Sequence, residues 1–111
     1  MATADVTVIT IGREGAGSSD VMAEIHRRLE AQDAVRFQMH AMGTSLEGGV
    51  EEILRVAADL HSVPFDLGAP RVYTVLKLDE RRDREQGLEH KMDSVRERLR
   101  EPRRRDYPPG D

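Results

Sequence analysis

The chain has 111 residues, contains no cysteine and carries a formal net charge of −4. This length suits one domain with a hydrophobic core, and the lack of cysteine excludes disulfides, thiolate metal sites and a cysteine nucleophile. Residues 1–79 carry a net charge of −5, and such an acidic body disfavours binding to duplex nucleic acid, whose affinity for proteins comes mainly from neutralised phosphates.

The first predicted element is a β-strand over residues 6–11, VTVITI, in which both faces are mostly apolar. We therefore expect this strand to be covered on both sides. Residues 12–17 are predicted to form a glycine-rich loop, and Ser18 or Ser19 is a suitable N-cap for the helix that follows. Apolar residues then recur at helical spacing, as expected of a surface helix: Val21, Met22, Ile25 and Leu29.

A pair of short strands is predicted next. Apolar and polar residues alternate over 35–41, and a second strand follows at 44–47. Gly43 and Gly48 supply the backbone freedom for a reversal at each end of this second strand. The segment from Met42 to Gly48 thus presents hydroxyl groups and one carboxylate from a strand between two glycines.

A second amphipathic helix is predicted from Val50 onwards, with a kink or a restart near Ser62 because Pro64 has no amide donor. Residues 71–79 alternate again and predict a fourth strand. A third helix is predicted from apolar residues spaced along one face: Leu88, Met92, Val95 and Leu99. We assign residues 1–100 to a single domain and residues 101–111 to a charged, proline-rich mobile tail.

The order of these elements predicts an α+β fold, a ferredoxin-like βαββαβ sandwich with an extra C-terminal helix. Helices would pack on one face of an antiparallel sheet and leave the other face open. Side chains of mixed polarity lie on that face in the predicted strands, which favours a subunit interface. Because no apolar run could span a bilayer and no signal-peptide pattern is present, we expect a cytoplasmic protein that does not bind membranes.

Candidate chemical groups are few. The loop GREGAG precedes a helix, where amides and Arg13 could contact an anion, but its glycines fit neither nucleotide-binding pattern. The run after the fourth strand offers Asp79, Arg81 and Arg82 as anion or intersubunit contacts, or simply as a solvated charged loop. The four histidines lack metal-ligand spacing, so we predict no metal site. No catalytic signature is present, and we predict no catalytic residues.

Five segments, in order and at similar intervals, resemble the thiamine-binding protein family. They are VTVITIG at 6–12, MGT and EG within 42–48, His61 with Phe65, Leu67 and Gly68, RVYT at 71–74 and KLDERRD at 77–83. The resemblance covers residues 5 to 100. It departs from the family pattern where Thr10 replaces a common proline and Val21 replaces a common aromatic residue.

The resemblance implies a ferredoxin-like protein that binds thiamine or its hydroxymethylpyrimidine part without catalysis, as a carrier, buffer or sensor. It also implies association into dimers and dimers of dimers through the open sheet faces. On this basis Thr44, Ser45 and Glu47 are the expected ligand contacts, with the carboxylate favouring the cationic thiazolium. Gly43 and Thr10 complete the candidate site, and no other cofactor is expected.

We expect no nucleic acid partner, since RNA binding through the sheet face would use stacking aromatic residues, for which only Tyr73 is a candidate. Two other functions remain open from the sequence. The protein could be a structural or regulatory homo-oligomer with a different or lost ligand. It could also be an enzyme similar to the acylphosphatases, which share this fold; that family uses a catalytic asparagine, however, and this chain contains no asparagine.

Overall fold

The computed structural model describes residues 1–14, 18–83, 92 and 95–99. The elements are β1 Ala2–Ile11, α1 Ser19–Glu30, β2 Arg36–His40, β3 Gly43–Gly48, α2 Val50–Asp66 and β4 Arg71–Glu80. The four strands form one antiparallel sheet in the order β2-β3-β1-β4, with the two helices in the connections β1–β2 and β3–β4. The predicted ferredoxin-like fold class is confirmed.

The hydrophobic core lies between the sheet and the two helices. Alternate residues of β1 point into it, and Val6 retains only 2% exposure. The opposite face of β1 carries Ile9, which is 42% exposed. Within a single chain Ile9 is uncovered, and cover of this second face stays a prediction. The largest buried side chains are Leu29, Leu46, Ile53, Leu60, Val6, Val63 and Pro64.

β1 begins four residues earlier than the sequence pattern indicates. Residues 2–5 are small or polar and do not resemble a strand by composition, yet Ala2 pairs with Gly48 on one side and with Glu80 on the other. Two neighbouring strands thus extend β1, because backbone pairing on both edges outweighs weak local β-propensity.

α2 is one continuous helix through Pro64, so the predicted restart near Ser62 is wrong. Pro64 lies in the last turn and lacks the amide that would donate to the carbonyl four residues earlier, a loss of one hydrogen bond that the helix survives because it ends two residues later. Two backbone hydrogen bonds close the end of the helix. The amide of Leu67 donates to the carbonyl of Val63 at 3.2 Å, and the amide of Ala69 donates to the carbonyl of Pro64 at 2.8 Å. Burial of Val63 and Pro64 fixes the turn on the core.

The predicted third helix is described only in part. Residues 92 and 95–99 are helical, and Val95 and Leu99 are exposed. Leu88, the boundary at residue 100 and the tail at 101–111 lie outside the described residues.

Arg28 on α1 donates to side chains of four residues, of which three lie on α2. Its guanidinium donates to the carboxylates of Asp59 at 2.9 Å and Asp66 at 2.7 Å, to the hydroxyl of Ser62 at 3.1 Å and to Glu24 at 3.0 Å. The hydrogen bond to Asp66, followed by that to Glu24, raises the pKa of Arg28. The side chain is 21% exposed, so these bonds are partly shielded from water.

We expect Arg28→Met to lower the free energy of unfolding by about 1 kcal/mol, because it removes the shared donor between the helices, while the carboxylates of Asp59 and Asp66 are more than half exposed and regain water. Methionine keeps the apolar stem of the side chain. Arg27→Met is the matched control, since Arg27 is 68% exposed and, within the described residues, forms its ion pair with Glu24 on its own helix. Urea denaturation of both variants measures the difference, and equal losses would contradict the proposed bridging role.

Candidate functional site

The face of the sheet opposite the helices is called the open face here, and it carries most of the polar strand residues. Strand register places these side chains in rows that run across the sheet. One row is Arg36, Glu47, Thr3 and Asp79; the next is Gln38, Ser45, Asp5 and Lys77; the third is His40, Gly43, Thr7 and Val75.

Glu47 is the most buried carboxylate among the described residues, at 7% exposure. Its Oε1 lies 3.7 Å from Nη1 of Arg36 on the neighbouring strand. Ser45 is the next residue on this face of β3 and stands directly opposite Asp5 of β1. The Ser45 hydroxyl is therefore flanked by two carboxylates, which makes this part of the open face suitable for a ligand that carries hydrogen-bond donors or positive charge.

Asp5 itself has a histidine partner. Nε2 of His40 lies 3.1 Å from Oδ1 of Asp5, across the strand that separates them. Lys77 stands opposite Asp5 on the other side. Both carboxylates near Ser45 thus have a basic neighbour, and the site is polar without being a one-sided acidic patch.

Thr44 and Thr10 point to the other side of the sheet. Thr44 is 4% exposed and lies on the helix face of β3, opposite Val6 of β1 and Met39 of β2. Thr10 lies on the same face, opposite Val72. Successive residues of a strand alternate between faces, so the side chains of Thr44 and Ser45 cannot contact one ligand from the same side. The structure brings together Ser45 and Glu47 and separates them from Thr44 and Thr10.

Gly43 contributes a close backbone contact. A Cβ atom at this position would lie 2.6 Å from the carbonyl oxygen of Val6 and 2.9 Å from Oγ1 of Thr7. The Thr7 hydroxyl donates to the carbonyl of Met42 at 2.9 Å and fixes the start of β3 against β1. Gly43 can offer a ligand only its backbone, and its main effect is on the approach of the two strands.

A second polar cluster lies on the helix face of the sheet. Nδ1 of His61 on α2 is 2.7 Å from Oγ1 of Thr74 on β4, and the ring of Phe65 packs edge-on against the imidazole at 5.6 Å between ring centroids. Thr10 is diagonal to Thr74 on this face. In the sequence, His61 and Phe65 stand out only as part of a segment that resembles the family. The alternation of β4, which places Thr74 towards the helices, was the signal available for finding the cluster.

In the loop between β1 and α1, Arg13 is already paired with a carboxylate of the same chain. The guanidinium of Arg13 binds the carboxylate of Asp20 through two hydrogen bonds, one of them from Nη1 to Oδ1 at 2.9 Å. Oδ1 of Asp20 also accepts the amide of Val21 at 2.8 Å in the first turn of α1. Chiefly because of the Arg13 hydrogen bond, the pKa of Asp20 is lowered to about 2. Asp20 therefore occupies the groups that the predicted anion contact would use; residues 15–17 lie outside the described part.

This pair predicts a specific acid sensitivity. Since the pKa of Asp20 is lowered by folding from its ordinary value of 3.8, its contribution to stability is present above that value and is lost as the pH falls towards about 2. Wild type should thus lose more stability than Asp20→Asn between about pH 4 and pH 2. Unfolding curves recorded over this interval and near neutrality measure the difference, and parallel pH profiles would contradict the expected linkage.

The charged residues after β4 form local ion pairs. Nη2 of Arg81 lies 2.7 Å from Oδ2 of Asp83, and Nε of Arg82 lies 3.2 Å from Oε1 of Glu80. Arg82 is 88% exposed. Asp79 belongs to the row of Glu47 on the open face. The anion or intersubunit role of these residues stays a prediction.

The helices enclose a separate groove of about 370 Å³ near the end of α1. None of the predicted ligand contacts lines it; its walls are Arg28, Ala31, Gln32, Ala34, Glu52, Arg55, Val56 and Asp59. Within the described ranges no three histidine or acidic side chains converge as metal ligands. No helix in this part of the chain is long and apolar enough to cross a membrane.

Comparison with known proteins gives consistent matches over nearly the whole chain. The family model described as "Thiamine-binding protein" matches residues 4–96. The UPF0045 protein YqgV of Bacillus subtilis is 37% identical over 102 residues, which cover 89% of this chain and 98% of that protein. A UPF0045 protein of Methanothermobacter thermautotrophicus is 36% identical over 100 residues, with 89% and 100% coverage.

Two solved structures are similar in fold. A hypothetical protein of Methanocaldococcus jannaschii superposes with a TM-score of 0.76 at 33% identity, over 86% of this chain and 96% of that one. A candidate thiamine biosynthesis/salvage protein of Thermotoga maritima superposes with a TM-score of 0.68 at 18% identity, over 85% and 97%. At 18% identity, the similarity to the Thermotoga maritima protein supports the fold alone.

Proposed function

Since the chain belongs to the thiamine-binding protein family, we propose that it binds thiamine or its hydroxymethylpyrimidine moiety without catalysing a reaction, as a carrier, buffer or sensor. The match to the family model over residues 4–96 carries this proposal. We place the ligand on the open face, at Ser45 and Glu47.

The side chains of Ser45 and Glu47 suit both parts of this ligand. An aminopyrimidine presents donors and acceptors along one edge, which a hydroxyl and a carboxylate side by side can satisfy. The thiazolium of thiamine is cationic, and a carboxylate held at 7% exposure interacts with a cation more strongly than one in bulk water. Asp5, opposite Ser45 in the neighbouring row, provides a second carboxylate, which is paired with His40.

Self-association belongs to the same proposal. Ile9 and Tyr73 are paired across β1 and β4 on the open face and are 42% and 53% exposed. Apolar side chains in such a position favour contact with a second copy. A ligand at Ser45 and Glu47 would then lie close to the contact between two open faces.

The proposal is tested by calorimetric titration of the full chain with thiamine, hydroxymethylpyrimidine and thiamine phosphate. Saturable binding of thiamine or the pyrimidine is expected, with a dissociation constant on the order of micromolar. The ranking of the three identifies which half of the ligand is recognised. Absence of binding to all three would overturn the proposal and favour a structural or regulatory homo-oligomer.

Glu47→Gln is expected to weaken thiamine binding by about tenfold or more, because it removes the charge that favours the thiazolium. Hydroxymethylpyrimidine lacks the thiazolium, so its binding should weaken less. Glu51→Gln is the matched control, since Glu51 is an exposed residue in the first turn of α2. Titration of both variants with both ligands gives the comparison, and unchanged thiamine affinity in Glu47→Gln would remove Glu47 from the site.

Thr44→Val and Thr10→Val test the helix face. Both changes keep side-chain shape and remove a hydroxyl. If the ligand lies on the open face, neither variant should alter affinity by more than a small factor. A large loss in these variants, with Ser45→Ala unchanged, would move the ligand to the helix face beside His61 and Thr74.

A further inference from the structure

Lys77 of β4 projects from the open face without an ion-pair partner among the described residues. It stands directly opposite Asp5 of β1, a position in which oppositely charged side chains commonly pair. The Asp5 carboxylate instead contacts His40 from the other side, with Oδ1 of Asp5 3.1 Å from Nε2 of His40. The ammonium group of Lys77 is therefore exposed on the open face and can accept an anionic ligand.

The local structure of β3 allows His40 to hold Asp5 in this way. His40 pairs with Gly43, which has no side chain, so the imidazole can cross β3 and reach β1. A side chain at position 43 would stand between the two groups on the open face. The carboxylate of Asp5 is thereby drawn away from Lys77, and the open face presents a negative charge on β1 beside a separate positive charge on β4.

One row of the open face thus offers three kinds of chemical group in sequence. Ser45 on β3 supplies a hydroxyl, Asp5 on β1 a carboxylate and Lys77 on β4 an ammonium. Adjacent strands lie about 4.8 Å apart, so the three groups follow one another at that step across the sheet. Thiamine carries its aminopyrimidine, its cationic thiazolium and its hydroxyethyl arm in the same order. A phosphate ester of that arm would place an anion at the third step.

We propose that the open face binds thiamine in phosphorylated form, with the phosphate held by Lys77. This inference rests on the proposed function and specifies the ligand of the same site. The aminopyrimidine contacts Ser45 and Glu47, and the thiazolium lies over β1 near the carboxylates of Asp5 and Glu47. The hydroxyethyl arm then carries the phosphate to β4. Each charge of the ligand lies over a charge of opposite sign on the sheet.

The neighbours of Lys77 on β4 set the side from which the phosphate approaches. Asp79 is the next open-face residue in one direction, opposite Thr3, and its carboxylate would repel an anion. Val75 is the next in the other direction, opposite Thr7, and carries no charge. The phosphate is therefore expected between Lys77 and Val75, where no carboxylate of β4 faces it.

Titration calorimetry of the full chain with thiamine and thiamine phosphate tests the inference. Wild type is expected to bind thiamine phosphate roughly tenfold more tightly than thiamine, as one charged hydrogen bond to the phosphate would give. Lys77→Gln should remove this preference, and Lys77→Arg should keep it. Arg71→Gln is the matched control, because it removes a positive charge from the open face at the far end of the same strand and should leave the preference unchanged.

Hydroxymethylpyrimidine phosphate measures the distance between the two ends of the site. Its phosphate is one carbon from the pyrimidine, so with the ring at Ser45 and Glu47 that phosphate would lie over β1, beside Asp5. The negative charges then meet, and this compound should bind no more tightly than hydroxymethylpyrimidine itself. Tighter binding of hydroxymethylpyrimidine phosphate would contradict the proposed order of groups across the sheet.

The outcomes separate this inference from the proposed function. If wild type binds thiamine at least as tightly as thiamine phosphate, or if the preference for the phosphate survives Lys77→Gln, the inference is wrong while thiamine binding stands. If Arg71→Gln loses the preference as fully as Lys77→Gln does, general charge attraction replaces a contact at Lys77. Binding of none of these compounds would overturn the proposed function and this inference together.

Discussion

Replacement of Gly43 by alanine is expected to lower the free energy of unfolding by about 2–3 kcal/mol. The added Cβ would lie 2.6 Å from the carbonyl oxygen of Val6, a backbone atom that cannot move without opening the contact between β1 and β3. The hydrogen bond from Thr7 to Met42 would be strained at the same point. Because β3 carries Ser45 and Glu47, ligand affinity should decrease together with stability.

Gly68→Ala separates this steric effect from backbone conformation. Gly68 has φ of +98°, and no atom lies within 4 Å of the position that a Cβ would take, so alanine there is costly only through its dihedral angle. We expect a loss of about 1 kcal/mol for Gly68→Ala. Thermal or urea unfolding of both variants decides the matter: if Gly43→Ala costs no more than Gly68→Ala, the close approach of β1 and β3 does not constrain position 43.

Leu46→Ala is expected to lower the free energy of unfolding by about 3–4 kcal/mol. Leu46 is fully buried on the helix face of β3, opposite Ala4 and Phe37, and its loss would leave a cavity below the strand. Leu54→Ala provides the control, because Leu54 on α2 is 45% exposed and should lose well under half as much. Equilibrium urea denaturation gives both values, and similar losses would show that Leu46 is not a central core residue.

Ligand titration of Leu46→Ala adds information on the site. Leu46 lies between Ser45 and Glu47 in sequence but points to the opposite face of the sheet. Under conditions where the variant stays folded, a change in thiamine affinity would show that packing on the helix face of β3 positions the side chains on its open face. Unchanged affinity would show that the backbone pairing of β3 with β1 and β2 is sufficient.

The fold was predictable because its pattern is local. Alternation identified two strands and a β-branched run identified β1, helical spacing identified α1 and α2, and their order left few ways to build an antiparallel sheet. The early start of β1 was not predictable from residues 2–5, since its cause is pairing with β3 and β4. The continuity of α2 through Pro64 depends on burial of that turn, which is a tertiary effect.

The ligand contacts stay a prediction, but the face of the sheet on which each candidate residue lies could have been derived from the sequence. Strand alternation alone separates Thr44 from Ser45 and Glu47, and applying it to the segment would have divided the predicted contacts between two faces. The pairing of Arg13 with Asp20 is different. Seven residues and a loop separate them, so no periodic pattern brings these two side chains together.

The position of β1 in the sheet has a consequence for synthesis on the ribosome. β1 is a central strand, yet both of its partners, β3 and β4, follow it in the chain. At bacterial or eukaryotic elongation rates, roughly 4–16 seconds pass between emergence of β1 and emergence of β4. Until β4 emerges, one edge of β1 exposes unpaired backbone, and Val6, Val8 and Ile9 lack their cross-strand neighbours. Nascent chains arrested before β4 should therefore bind ribosome-associated chaperones, and release should follow completion of that strand.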